Sequence, residues 1–566
     1  MADPAARALA PWGRAPVSRI RQFRRHEASG AGWTGAALVL AALAALPLVA
    51  VAAAALTDGG ESLGALSGTV LPSYLSNTAL LMLLAGGIAV AIGTLCAWLV
   101  VATRFPGRRL LAFALVLPLA VPAYLAAYVY GALLDIGGPV QSALRALTGW
   151  QAGTYSFPPI RSLGGGALVF GLVLYPYVYL LARTAFATQS LTQFAAARSL
   201  GAGPWRAFFE VALPAARPAI AGGLALVLME VLADFGVAEY FAIPTFSTGI
   251  FRAWLISGDK AGALRLAGVM LAFVIALVAL EAASRRGRRD SRDGLSRRAE
   301  AEPMVHLTPL GQALALAACL VPVGLGFVLP AAYLAALALT ERARAAAGEL
   351  ASYVASSLWL ALAVAGTCLV AALLLVFARA RAGSRLTGAA IRVASLGYAL
   401  PGALLAVGLL APLGALDQSL TRLARDHLGW SGGLLLTGTS LLLIYALAVR
   451  FLTVAYNTLD GGLARIPPGL DAAARSLGAA PGRVLARIYA PLLAPSLAGA
   501  AALVFIDTLR ELPATLILRP FNLETLATRT YRLASDERLI EAAIPALILL
   551  AAGLLPVLLL NRLGKR

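Results

Sequence analysis

The octapeptide "AAARSLGA" occupies Ala195–Ala202 and returns letter for letter at Ala472–Ala479, 277 positions further on. Sliding the chain by that interval extends the match in both directions. Pro204 meets Pro481, Arg206 meets Arg483, Pro214 meets Pro491, Pro218 meets Pro495 and Gly222 meets Gly499. Beyond them Glu230 meets Asp507, Asp234 meets Glu511, Thr248 meets Thr525, Arg252 meets Arg529 and Asp259 meets Asp536, a register expected to run without a gap. Upstream, Arg104 and Arg108 meet Arg381 and Arg385, and Pro122 meets Pro401 after a shift of two. The chain is an internal duplication.

What lies between the repeats is oil. The 566 residues are 60% hydrophobic and 13% charged, with a mean hydropathy of +0.82. Runs such as Thr34–Leu56, Thr78–Ala102, Leu110–Leu133 and Ala542–Leu560 are uncharged and reach the roughly 20 residues that cross a bilayer core. About twelve spans are expected, near 34–56, 78–102, 110–133, 166–187, 219–241, 261–283, 309–340, 357–378, 387–413, 433–456, 496–518 and 542–561. The seventh is too long for one straight span and implies interfacial turns.

The formal net charge of +19 would suggest nucleic acid in a soluble protein. Here it maps onto loops. With the N-terminus inside, the inside segments hold 29 Lys and Arg and the outside ones 12, which places both termini in the cytoplasm. "SRRGRRDSRDGLSRRAEAEP" (Ser284–Pro303) carries seven arginines and no apolar run, so anionic lipid is its partner rather than nucleic acid. It divides the chain into a cytoplasmic segment 1–33, a first membrane half 34–283, a linker 284–306 and a second half 307–566. Six spans per half make the copies parallel, related by an axis along the membrane normal with a pathway between them. Lys260 and Lys565 are the only lysines, and neither stands between Gly and Ser/Thr. The chain therefore has no Walker A motif, and any ATP that drives it binds another subunit. Cys96, Cys319 and Cys368 sit in apolar runs as packing residues.

Both octapeptides fall in long inside loops after the fourth span of a half. Ala195–Leu200 and Ala472–Leu477 are good helix formers. Gly201 and Gly478 suit a left-handed helix cap, and Pro204 and Pro481 the first turn of a second helix. On that helix Trp205, Phe208 and Phe209 are expected on one face, as are Val484, Leu485 and Ile488. So apolar a loop packs either on the protein's own helix ends or on a partner.

"FAAARSLGAGPWRAFFEVALP" (Phe194–Pro214) and "DAAARSLGAAPGRVLARIYAP" (Asp471–Pro491) resemble the "EAA" loop of ABC-importer permeases. Phe194 departs from that pattern, which has an acidic residue there, and Asp471 is a shortened form of it. Ala490 stands where Leu is usual. The resemblance implies an all-α type I importer permease fold in a bacterial inner membrane and two copies of a cytoplasmic ABC ATPase. ATP and Mg would be held by those subunits and no cofactor by this chain. Phe194, Ala195, Ala196, Gly201, Trp205, Asp471, Ala472, Ala473 and Gly478 become coupling residues, and the Phe194/Asp471 and Trp205/Gly482 differences imply an unequal grip. "EVLADFGVAEYFAIPTFSTGIFRAW" (Glu230–Trp254) and "LPATLILRPFNLETLATRTYRLASDE" (Leu512–Glu537) look like fused permeases of ferric-iron importers. That likeness implies a periplasmic iron-binding protein as the donor of cargo.

Charges inside a membrane are costly and face a bundle interior or water. Glu230 and Asp234 are spaced to share one face of the fifth span, and Asp507 and Glu511 repeat the spacing in the eleventh. Carboxylate oxygens suit a hard cation, so the four are candidate pathway residues. The structural alternative has Arg510 neutralising Asp507 or Glu511. No metal site is predicted. Pro122 and Pro401 are expected to kink the third and ninth spans. The reading is an ATP-driven importer permease, for ferric iron or else thiamine, a polyamine, phosphonate or sulfate. The alternative of another class is an ion-driven secondary transporter.

Overall fold

Uncharged runs of Leu, Ala and Val become long helices because a chain in lipid must satisfy its backbone hydrogen bonds within itself. The computed structural model describes residues 27–57, 70–187, 191–286, 305–382, 384–429, 433–464, 466, 469–478 and 485–563. In the first half the main helices are α1 (Glu27–Thr57), α2 (Leu71–Ala102), α3 (Ala123–Leu134), α4 (Leu163–Ala185), α5 (Leu213–Ala233) and α6 (Lys260–Arg286). In the second they are α7 (Pro309–Ala338), α8 (Leu350–Ala382), α9 (Gly402–Leu428), α10 (Ser440–Leu463), α11 (Ala490–Arg510) and α12 (Leu539–Leu563). Among the described residues ten helices are long and apolar enough to span a bilayer, and a pair bent by 90° around Val121–Pro122 makes an eleventh. The C-terminal helix has a shorter apolar stretch, Leu539–Leu555, so the count among the described residues is ten or eleven where the sequence predicts about twelve. This is the helical membrane architecture expected from the sequence.

Several local expectations are corrected. Pro122 and Pro401 do not kink continuous spans. Each follows a short 3₁₀ turn, Leu117–Ala120 or Gly397–Ala399, and stands as the N-cap of the helix after it, at φ −57°. A proline has no N–H to donate and a fixed φ, so it starts a helix more readily than it continues one. The third span is thus two helices meeting at a break. The seventh span needs no interfacial turn, since its extra length is one helix run with a π-helical turn at Gly324–Val328. The N-terminal helix begins at Glu27, inside the expected 1–33 segment, and α6 runs to Arg286, inside the expected linker. The rest of the linker, 287–304, lies outside the described residues. Its far end forms a short parallel pairing, β1 (Thr103–Arg104) with β2 (Val305–His306).

The repeat register also needs a correction. The 277 interval holds through the coupling loop and the fifth and eleventh spans: α5 and α11 have matching ends, and each follows a π-helical turn, Phe208–Ala212 or Leu485–Tyr489. It fails beyond. The capping box Thr245/Thr248 corresponds to Thr525/Thr528, a shift of three that removes the Thr248–Thr525 match. The same interhelical bond marks the new register. Phe246 N donates to Thr78 Oγ1 at 3.4 Å, and Leu526 N to Ser357 Oγ at 2.7 Å. One extra residue lengthens the Pro513–Leu518 helix relative to Gly236–Tyr240, and two sit in the loop carrying Phe521, which is fully exposed.

The halves are not separate bodies. α1 packs against α8 and α9 of the second half. Thr34 Oγ1 lies 3.0 Å from Thr387 Oγ1, Tyr445 donates to Leu43 O at 2.6 Å, and Trp33 meets Phe377. Reciprocally, α7 packs on the first half. Cys96 Sγ lies 3.6 Å from Ala318 O, and Tyr130 donates to Leu325 O at 2.7 Å. Each half lends its first helix to the other, so the sequence boundary at 284–306 is not a boundary in space.

Candidate coupling loops and a central charged cavity

The first coupling loop is built by local chemistry. Leu191–Ser199 is a helix that ends in a Schellman motif. Gly201 takes φ +87°, Ala202 N donates to Ala197 O at 3.1 Å and Gly201 N to Arg198 O at 3.1 Å. In the second loop the helix is Gly469–Ser476, and Gly478 takes φ +77°. A side chain at either position would be forced into the left-handed region. The turns present equal features: Leu200 and Leu477 are each 87% exposed. Ala196 and Ala473 are also exposed, and Ala195 is half-buried. The side chains of Asp471 and Ala472, and residues 479–484 with Val484 among them, lie outside the described residues.

Two expectations fail in the first loop. Phe194 is 1% exposed, with its ring 5.1 Å from Trp98 of α2, which also meets Phe186 and Phe208. It anchors the loop to the bundle and offers nothing to a partner. Trp205, Phe208 and Phe209 do not share a face, because the helix widens into the π-helical turn at Phe208. Phe208 packs inward on Trp98. Trp205 and Phe209 stack outward at 6.2 Å, with Trp205 73% exposed.

The second feature lies between the halves, where both broken spans and the ends of α5 and α11 meet. It is a cavity of ≈ 180 Å³ lined by Glu230, Asp234, Asp507 and Glu511, with Arg450 and Arg510 among them. Pro122, Ala123 and Ala399 of the breaks also border it. Irregular backbone within a membrane is stable where it faces such a cavity, and the N-termini of the helices it opens add positive dipole ends.

The four carboxylates come together, though not by the helical spacing expected of them. α5 ends at Ala233 and α11 at Arg510, so Asp234 and Glu511 are the first residues past their helices. Both turn to cap the short helix that follows. Asp234 Oδ1 accepts from Val237 N at 2.8 Å. Glu511 accepts from Ala514 N at 3.0 Å, Thr515 N at 2.9 Å and Thr515 Oγ1 at 2.8 Å. Glu511 also pairs with Arg450 Nη1 at 2.9 Å, where its side chain is only 2% exposed. Its cation is therefore on α10, not the neighbouring Arg510. Arg510 acts on Asp507, together with Arg450, and its Nε is buried with no hydrogen-bond partner among the described residues.

Arg450 was not singled out as a site residue. The signal was present: it is an arginine inside "LLLIYALAVRFLTVAYN", subject to the same rule as the carboxylates. Glu230 and Asp507 are half-buried and face the cavity from the last turns of α5 and α11. Four carboxylates against two guanidiniums leave the cavity net acidic. It can attract a cation, hold it loosely and let it leave. Among the described residues no three His, Cys, Asp or Glu converge as a metal-holding group.

Residues 89–286 match the family model "Binding-protein-dependent transport system inner membrane component". The chain is 27% identical over 504 residues to the Fe(3+)-transport system permease protein FbpB 2 of Haemophilus influenzae, covering 87% of this chain and 90% of that one. It is 31% identical over 189 residues to the molybdenum transport system permease protein ModB of Escherichia coli K12, covering 32% of this chain and 80% of that one. The sulfate transport system permease protein CysW of Escherichia coli K12 is 28% identical over 232 residues, covering 39% of this chain and 76% of that one.

Proposed function

The chain belongs to the family of binding-protein-dependent transport system inner membrane components, and from that premise we propose that its cargo is ferric ion. It is the multi-pass permease of an ATP-driven importer. One observation carries the cargo reading: the cavity shared by the two halves has an excess of carboxylates over guanidiniums. Such a cavity repels sulfate, molybdate or a phosphonate and draws in a hard cation. Its ≈ 180 Å³ is also below the ≈ 300 Å³ at which sites for organic ligands begin, which disfavours thiamine and polyamines. A relative that matches 87% of the chain is named as an Fe(3+)-transport permease, which supports the same reading.

In this proposal a periplasmic binding protein delivers the ion and both termini lie in the cytoplasm. Two ATPase subunits with ATP and Mg dock on the coupling loops through Leu200, Trp205 and Leu477. ATP binding draws the loops together and shifts the bundle between outward-open and inward-open states. Glu230 and Asp507 hold the ion in transit, while Glu511, already spent on Arg450 and the Pro513–Leu518 helix, keeps the wall rigid. The permease does no covalent chemistry.

The test is reconstitution of the chain with its ATPase in liposomes. ATP hydrolysis should rise with the binding protein and ferric ion together, and with neither alone. Stimulation by an oxyanion-loaded binding protein, without ferric dependence, rejects the cargo.

A further inference from the structure

One wall of the cavity carries tyrosines with no part in the scheme so far. Tyr124 and Tyr128 stand one turn apart on α3 with ring centroids 5.7 Å apart, and Tyr124 borders the cavity. Tyr240 continues the row, edge-on to Tyr128 at 4.7 Å. Over Tyr240 lies the Arg161 guanidinium, 5.0 Å from the ring centroid. Arg161 in turn bridges Asp135 of the first half at 2.9 Å and Glu537 of the second at 3.2 Å. Arg161 belongs to the loop joining α3 and α4, at the end of the bundle opposite the coupling loops. The row therefore runs from that face down to the cavity.

Two other buried tyrosines use their hydroxyls: Tyr130 donates to Leu325 O at 2.7 Å and Tyr179 to Ala112 O at 2.9 Å. The hydroxyls of Tyr124 and Tyr128 are sealed from solvent and bond to nothing among the described residues. A hydroxyl buried without a partner is costly, and phenylalanine would fill the same space without that cost. Nor does the fold demand a large ring there. Counting from the helix breaks at Pro122 and Pro401, the counterparts on α9 are Ala403 and Val407, both buried. Asp234 lies within electrostatic reach of both hydroxyls. The other buried tyrosine hydroxyl without a partner among the described residues, on Tyr175, belongs to a different neighbourhood beside Cys96 and Cys319.

We propose that Tyr124 and Tyr128, with Asp234, form a transfer site for a hard trivalent cation on its way from the Arg161 face to the cavity. Resting on the ferric reading above, the site replaces part of the ion's hydration shell with phenolic and carboxylate oxygen. As each metal–oxygen bond forms, the phenol gives its proton to a water leaving that shell, and the oxidation state of iron is unchanged. Arg161 covers the entrance while its two carboxylates hold it.

The test uses the full chain with its ATPase in liposomes and the Tyr124→Phe/Tyr128→Phe variant, which keeps both rings. Ferric citrate added to the unaltered complex should produce the visible charge-transfer absorption of a ferric phenolate. The double variant should lose that band, keep its thermal stability, and take up ferric ion at least tenfold more slowly with the loaded binding protein. No band in the unaltered complex, or a band and uptake unchanged in the variant, overturns the proposal. If uptake by the unaltered complex does not depend on ferric ion at all, the cargo reading falls as well. Ferric-dependent uptake that survives the double substitution removes the transfer site alone.

Discussion

Glu511 and Glu230 occupy one cavity and do different work. Glu511 has every oxygen engaged and a guanidinium at 2.9 Å; Glu230 makes no hydrogen bond among the described residues. Removing one partner of a buried pair costs about 3–5 kcal/mol, because the other charge stays buried without compensation. Arg450→Met should therefore lower the midpoint of thermal unfolding in detergent markedly, and adding Glu511→Gln should recover part of the loss. Equal losses in the single and double variants would show that the pair contributes nothing. Glu230→Gln with Asp507→Asn should behave in the opposite way: uptake of ferric ion falls while stability and ATPase assembly stay intact. Unchanged uptake would remove these two from the pathway.

In the proposed coupling loops, anchoring and docking fall to different residues at the scale of one helical turn. Phe194 is enclosed by Trp98 and its neighbours, so Phe194→Ala should cost about 3–5 kcal/mol of stability, as large-to-small changes at buried aromatics do. Trp205→Ala, at an exposed site, should leave stability alone and weaken capture of the ATPase in a pull-down. The reverse assignment of the two effects would overturn this division. Gly201→Val and Gly478→Val each force a branched residue to positive φ, at about 1–2 kcal/mol. Both should reduce ATPase capture without reducing membrane insertion. The Phe194/Asp471 difference still predicts an unequal grip, now for a sharper reason: the first loop is tied to the bundle by an aromatic cluster at the position where the second has an acid.

Across the whole molecule the exchange of α1 and α7 ties the halves together more firmly than the linker does. A chain divided between 287 and 304 should still assemble when both parts are co-expressed, since α1 carries the first part onto α8 and α9. Either part alone exposes the surface its partner's first helix covers and should be recovered poorly from membranes. Independent stability of both parts would contradict the exchange.

How much of this was legible in the sequence differs by feature. The spans, the duplication, the parallel halves and the glycine turns follow from properties that act along the chain. An apolar run of bilayer length has few alternatives to a helix, and a glycine after a helix former has a left-handed cap within reach. The four carboxylates were found for the same reason, since a charge in an apolar run stands out wherever the chain goes. Four things were decided only by tertiary structure: the helix exchange, the choice of Arg450 over Arg510 as the partner of Glu511, the inward face of Phe194, and the meeting of two helix breaks at one cavity. Each depends on how segments far apart in the chain pack together. Hydropathy and local propensity carry no term for which neighbour a surface meets.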